Sequence, residues 1–280
     1  MRRTRTAVLA DERSLHAVQA GEGPDLVLLH GALSTHRDWL DGPFDALARD
    51  FRVTAVDRPG HGLSLRPRFS ATPRDQAVQI AEGLDALDVG RALIVGHSMG
   101  GLVALAIAER FPERVSGLVL LAPIAFPEAR PLEHALLAPR ATPLFGPWLS
   151  ALAEKSMDRP MLKAVQRLMF LPQAVPPAWE EHYPYDQILT AKAMVNEGEE
   201  ASAILPFAPA GLIDLGAIRV PVHIVTGTAD RVADPNRHAR LLPLLLRDAT
   251  LTELPGIGHM LHHAATDSVL AVVRDALLGA

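Results

Sequence analysis

The stretch Ala92-Leu93-Ile94-Val95-Gly96-His97-Ser98-Met99-Gly100-Gly101, running on into Leu102–Arg110, decides how the rest of the chain is read. Four apolar residues ending at a glycine read as a short buried strand, and Leu102–Arg110, apolar on most sides, reads as a buried helix. Between them Gly96 and Gly100 flank a serine in a G-x-S-x-G pattern. A strand that gives way to a helix this quickly needs a tight, strained turn, and a Cβ at either glycine would collide with neighbouring backbone. Such a turn lifts Ser98 above the sheet edge and sets its hydroxyl at a helix N-terminus, where amide groups meet developing negative charge. Ser98 is the candidate nucleophile.

Working outward, Val27–Leu29, Val53–Val56 and Leu118–Leu121 are further short apolar runs bounded by Gly, Asp or Pro. Helical patterns lie between them. Thr72-Pro73 reads as an N-cap followed by proline at the first helical position, and Ala77, Ile80, Leu84 and Leu87 recur at helical spacing. Continuous apolar strands alternating with helices predict a parallel sheet covered on both faces. The pattern breaks at Ile124 and resumes near Leu212, then closes with strands Val222–Thr226 and Thr250–Leu254 and a helix Ser268–Leu278. Of 23 prolines, 12 fall between residues 124 and 210, so this stretch is expected to be a helical insertion punctuated by proline. The division predicted is a core of residues 1–123 and 211–280 with an insertion over 124–210. That insertion carries Leu132, Leu136, Leu137, Leu144, Phe145, Trp148 and Leu149, then Met157, Met161, Leu168, Met169, Phe170 and Trp179. It is too apolar to be a solvated loop and is expected to pack, with a minority of its side chains lining a pocket.

A serine hydroxyl needs a base, and the base needs an orienting acid. The tail supplies both, each just past a strand end, where ligands gather in open α/β sheets. Asp230 follows Val222–Thr226 in Gly227-Thr228-Ala229-Asp230, and His259 follows Thr250–Leu254 in Pro255-Gly256-Ile257-Gly258-His259. Asp234 is the rival acid, with Asp230 preferred because it lies nearer its strand. Among competing histidines, His97 adjoins the serine on a turn that should point it away, and it is kept only as a substrate contact. His61 lies in a glycine-flanked turn. His262 and His263 lack carboxylate companions at ligand spacing and are expected to be solvated or partly buried rather than metal-binding.

Composition narrows the classes. Lys plus Arg number 27 against 32 Asp plus Glu, a net charge of −5 that argues against nucleic acid as a partner. There is no cysteine, which excludes disulfides, thiolate metal sites and a cysteine nucleophile. No run of 18 apolar residues exists, and the N-terminal Thr6–Ala10 is too short for a secretion signal, so a cytoplasmic protein without a membrane partner is expected.

Beside the G-x-S-x-G turn stand His30-Gly31 after a strand, Asp57-Arg58-Pro59-Gly60-His61-Gly62-Leu63-Ser64 after the next, and the late Gly258-His259. Together they resemble the cap-containing serine hydrolases of the α/β-hydrolase superfamily, over nearly the whole chain and in the family's order. The resemblance implies a mostly parallel eight-stranded sheet flanked by helices, with a helical cap after the sixth strand. It implies a Ser98–His259–Asp230 triad and an oxyanion hole from the amides of Ala32 and Met99, with His30 and Gly31 shaping that loop and near the substrate. The expected activity is hydrolysis of a small carboxylic ester, with no cofactor and no metal. Carbon–carbon bond hydrolysis of vinylogous diketones, lactone opening or perhydrolysis would use the same residues, and a ligand receptor with an idle triad is the non-enzymatic alternative.

Overall fold

The computed structural model describes residues 1–154, 157–205 and 213–278, without the side chains of Leu132 and Leu278. Eight strands form one sheet: β1 (Arg3–Val8), β2 (Ser14–Ala20), β3 (Asp25–Leu29), β4 (Arg52–Val56), β5 (Ala92–His97), β6 (Val115–Leu121), β7 (Val222–Gly227) and β8 (Ala249–Leu254). Their order is β1-β2-β4-β3-β5-β6-β7-β8, parallel from β4 to β8. The β1–β2 hairpin joins antiparallel to β4.

Alternation along each strand divides the core into two layers. Val27 and Leu29 of β3 join Ile94, Leu118 and Ile224 under helices Pro73–Ala86 and Met99–Arg110. Leu26 and Leu28 join Val95, Val119 and Val225 on the other face, under Trp39, Phe44 and helix Thr266–Leu278. Every residue of β5 is buried, so the turn that follows it starts from the most rigid part of the sheet.

The six strands read from apolar runs are present, each extended by one to three residues. The first two strands were not located in the sequence, because neither is a continuous apolar run: β1 is polar and largely exposed, and β2, though buried from Ser14 to Val18, sets Ser14, His16 and Gln19 among its apolar residues. Their signal is the connection. Asp11 and Glu12 hold φ of 56° and 58°, and Arg13 N–H closes the turn on the Ala10 carbonyl at 3.2 Å. Two left-handed central residues match the right-handed twist of a tight hairpin.

Among the described residues, six α-helices lie between β6 and β7: Pro131–Leu137, Phe145–Glu154, Asp158–Phe170, Pro177–His182, Tyr185–Ile188 and Ala191–Ala203. The boundary expected between residues 210 and 211 falls outside the described residues. Leu137, Leu162, Phe170, Trp179, Ile188 and Met194 form a local core, which Met260 joins from the sheet side. The expectation that the apolar residues here would pack fails for one stripe. Leu144, Phe145 and Trp148 are 52–91% exposed, because one face at the start of helix Phe145–Glu154 meets nothing among the described residues, and Met157, ahead of the next helix, is exposed as well. Among the described residues no helix is long and apolar enough to cross a membrane.

Helix Pro73–Ala86 begins as its sequence requires: Thr72 accepts from Asp75 N–H at 3.1 Å while the Asp75 carboxylate reaches back to Thr72 N–H. Thr72→Ala should therefore lower stability by about 1 kcal/mol, read as a lower urea midpoint with unchanged slope.

Candidate active site

Ser98 sits between β5 and helix Met99–Arg110 with φ 53° and ψ −118°, a conformation worth roughly 1–3 kcal/mol of local strain. The strain is held by packing. A Cβ on Gly96 would overlap the Gly100 carbonyl, and one on Gly100 would overlap the Leu29 carbonyl of β3. Ser98 N–H donates to Leu121 O at 2.9 Å and its carbonyl accepts from Ile124 N–H at 3.1 Å, so the turn is stitched to the end of β6. Met99 opens the helix, and its N–H has no carbonyl partner within the helix.

Asp230 and His259 follow β7 and β8, at the same edge of the sheet as Ser98. His259 Nδ1 lies 2.8 Å from Asp230 Oδ2. The other Asp230 oxygen accepts from the amides of Val232 and Ala233 at 2.8 and 3.0 Å. A carboxylate so occupied can only accept from the ring, so Nδ1 carries the proton and Nε2 keeps its lone pair. The loop before His259 is braced from the helical segment, where Gln173 Oε1 accepts from Gly258 N–H at 2.9 Å. Asp234 has a different task, accepting from the Asn236 amide and side chain at 2.9 and 3.0 Å as a turn cap.

Ser98 and His259 are both walls of a cavity of about 400 Å³, together with Gly31 and Ala32. Among the described residues the Ser98 hydroxyl has no hydrogen-bond partner, a looseness common before substrate tightens such a pair. A Cβ on Gly31 would come within 3.2 Å of Ser98 Cβ, so glycine lets this loop lie directly against the serine. Leu136, Leu137, Met161, Leu168 and Met169 supply an apolar wall. No sequence signal marks the charged wall, which includes Glu128, Arg130, Glu133, Arg231 and Arg237. Arg130 bonds Glu133 at 3.0 Å, and Arg237 reaches Glu128 at 3.3 Å.

His30 does not line this cavity, contrary to its expected place near the substrate. It is fully buried, and its Nε2 accepts from Arg58 N–H at 3.0 Å, which forces Nδ1–H to donate to Gly31 O at 2.7 Å. Burial, aided by the Arg58 charge, pushes its pKa down to about 3, so it is a neutral brace. His97 does line the cavity, but its Nε2–H donates to His259 O at 3.1 Å, and burial with His262 and His259 nearby holds it well below the usual imidazole range.

A family model described as the alpha/beta hydrolase family matches residues 26–272. The chain belongs to the alpha/beta hydrolase family. Within it, the chain is 42% identical over 109 residues to a pimeloyl-[acyl-carrier protein] methyl ester esterase of Nitrosomonas europaea, 39% of this chain and 41% of that protein. It is 42% identical over 113 residues to the 2-hydroxymuconate semialdehyde hydrolase of a Pseudomonas species, 39% of this chain and 40% of that protein. The chain thus spans about two fifths of these curated relatives. A thermophilic esterase from Thermogutta terrifontis superposes with a TM-score of 0.74 at 20% identity, covering 100% of this chain and 98% of that one, a likeness of fold.

The chain also gathers residues that sequence reasoning missed. His262 is fully buried and His263 partly so, and neither lacks a carboxylate companion. Their Nε2 atoms lie 2.9 and 2.8 Å from the two oxygens of buried Asp38, and Trp179 Nε1 donates to the same carboxylate at 3.0 Å. The carboxylate companion thus comes from 224 residues away in sequence, beyond any spacing rule. A second group of ligand-type side chains joins His36 to Asp57 at 2.8 Å, with His16 bonded to Thr6. In both groups N–H donors already meet the carboxylate oxygens, Leu63 N–H taking the second oxygen of Asp57. Burial alone would raise the Asp38 pKa, but His262 and His263 hold it well below the usual carboxylate range. A folded pKa below the unfolded one stabilises above about pH 4, and that stabilisation is lost as pH falls through the folded value. Asp38→Asn should therefore be less stable at neutral pH and decline less steeply than the parent below about pH 4, by urea denaturation at stepped pH; parallel profiles would count against this.

Proposed function

We propose that this hydrolase cleaves carboxylic esters of small to medium, largely apolar substrates through an acyl-enzyme on Ser98. The observation that carries the reading is a histidine fixed by a buried carboxylate, 2.8 Å away, on the wall of the cavity that holds a serine on a strained turn. Ser98 Oγ attacks the ester carbonyl carbon while His259 Nε2 takes its proton, and the carbonyl electron pair moves onto oxygen. The amides of Ala32 and Met99 meet that oxyanion. Collapse breaks the bond to the alkoxy oxygen, which leaves as the alcohol with the proton from His259. Water then loses a proton to the same nitrogen and attacks the acyl-serine, releasing the carboxylic acid and restoring the Ser98 hydroxyl. Asp230 keeps the imidazole tautomer and stabilises its charged form throughout. These steps use no metal or organic cofactor.

The helical segment over residues 124–210 acts as a cap, and its Met and Leu wall suits a flexible acyl chain better than a charged one. A small ester met in the cytoplasm, rather than a membrane or nucleic acid, is the expected partner. The pimeloyl methyl ester esterase likeness supports an ester. The semialdehyde hydrolase likeness favours a second reading, carbon–carbon cleavage of a vinylogous diketone by the same residues.

Ser98→Ala should lower ester turnover by about 10⁴- to 10⁶-fold, and a fluorophosphonate should modify Ser98 as read by mass spectrometry. Asp230→Asn should lose about 10³- to 10⁴-fold, far more than Asp234→Asn. An adduct on another residue would remove Ser98 from its role. Faster turnover of a diketone, followed by its ultraviolet loss, than of any ester in an acyl-length series would transfer the assignment to the second reading.

A further inference from the structure

Helix Ala191–Ala203 is buried along most of its length, and three carboxylates are buried with it: Glu197, Glu199 and Glu200. Carboxylates this deep must be paired, so their partners show what the helix holds. Glu199 takes Arg66 at 2.6 Å, Arg68, and the Phe69 amide at 3.1 Å, tying the helix to the loop after β4. Glu197 and Glu200 reach instead to the loop that carries Ala32.

The Gly31 carbonyl and the Ala32 N–H are the two ends of one planar trans peptide and point in opposite directions. Whatever grips Gly31 O therefore aims Ala32 N–H. Gly31 O accepts from Arg58 Nη2 at 3.0 Å and from His30 Nδ1 at 2.7 Å, while Arg58 Nε donates to His30 O at 2.8 Å. Arg58 is fully buried and is held in turn by Glu200, one guanidinium nitrogen on each carboxylate oxygen. The next two peptides are gripped directly, one by its N–H and the other by its carbonyl. Leu33 N–H donates to Glu197 Oε1 at 2.7 Å, and Leu33 O accepts from the Tyr183 hydroxyl. Leu33 has φ 51°, a backbone state an L-residue keeps only when its surroundings over-determine it. His61 completes the cluster, 3.1 Å from Glu197 and 3.6 Å from Glu200. Its own burial opposes charge, yet the two carboxylates outweigh that and Arg58, and raise its pKa.

We infer that Glu197 and Glu200 are positioning residues for the oxyanion hole: the helix aims the Ala32 N–H, Glu197 through Leu33 and Glu200 through Arg58. This rests on the reading of Ala32 as an oxyanion donor. The helical segment then contributes to transition-state binding as well as to the walls of the cavity, and the contribution is one of aim, since neither carboxylate touches substrate.

Two conservative variants separate aim from charge. Glu197→Gln keeps an oxygen that can accept from Leu33 N–H and loses the charge, whereas Glu197→Asp keeps the charge and withdraws it by one methylene. Positioning requires Glu197→Gln to retain kcat within about threefold, and Glu197→Asp to lose about 10- to 50-fold with KM within about twofold, a fraction of the loss seen when an oxyanion donor is deleted. A trifluoromethyl ketone, whose adduct places an oxyanion in the hole, should weaken in proportion to kcat/KM, while a product alcohol should bind as before. A purely structural charge cluster gives the reverse order, with aspartate near the parent and glutamine impaired, and that order overturns the inference. If Glu197→Asp does not fold, Tyr183→Phe removes the grip on Leu33 O without altering charge, and an unchanged kcat there overturns it equally. Fluorophosphonate labelling of each variant keeps the two readings apart. An adduct away from Ser98 in the parent defeats the ester-hydrolase assignment, whereas an adduct on Ser98 with full activity in Glu197→Asp defeats only the positioning role.

Discussion

A guanidinium withdrawn entirely from water must have its N–H groups met, and at Arg58 meeting them fixes four stretches of chain at once. Its donors go to the His30 and Gly31 carbonyls, to Gln76 on helix Pro73–Ala86, and to Glu200 on helix Ala191–Ala203. Leaving such a group buried and unpaired would cost several kcal/mol, so the four stretches hold their relative places together or not at all. Apolar burial builds the two layers on the sheet, but it is non-directional and would tolerate a loop rotated by tens of degrees. Direction comes from these polar contacts. The arrangement around Ser98 thus depends on a charge lying outside the cavity wall.

The serine turn is the second constraint, and it is steric. Gly96 and Gly100 bring the backbones of β5, β3 and the following helix so close that side chains there would overlap carbonyl oxygens. A strained φ at Ser98 survives because the strand before it is buried at every residue and its neighbours hold the turn by hydrogen bonds. Steric closeness fixes where the hydroxyl stands, and the Arg58 cluster fixes the loop facing it.

Legibility followed from how local each signal is. The six central strands could be read because burial on both faces writes them as continuous apolar runs, and the places of the candidate residues Ser98, Asp230 and His259 because each lies just past such a run. The β1–β2 hairpin was missed because β1 is polar and largely exposed and β2 interleaves polar residues with apolar ones although it is mostly buried. Asp38 was invisible because its partners, Trp179, His262 and His263, lie 141 to 225 residues away. Glu197, Glu199 and Glu200 drew no notice for another reason: a run of acids on a helix ordinarily marks a solvated face, and here it is the buried one. The apolar stripe with Leu144 and Trp148 is the converse, exposed where composition pointed inward. A basic loop, Arg58, Arg66 and Arg68, set against an acidic run in an otherwise apolar insertion, is the sequence signal that could have found the contact.

Helix Ala191–Ala203 also bears on how such a molecule can change. Insertions of this kind invite treatment as interchangeable parts, to be exchanged between relatives. Here the insertion's last helix packs on the helices before it, yet its Glu200 also answers buried Arg58 on the sheet side. An insertion taken from a relative would therefore have to bring a carboxylate to the same place, or leave a guanidinium buried without its partner.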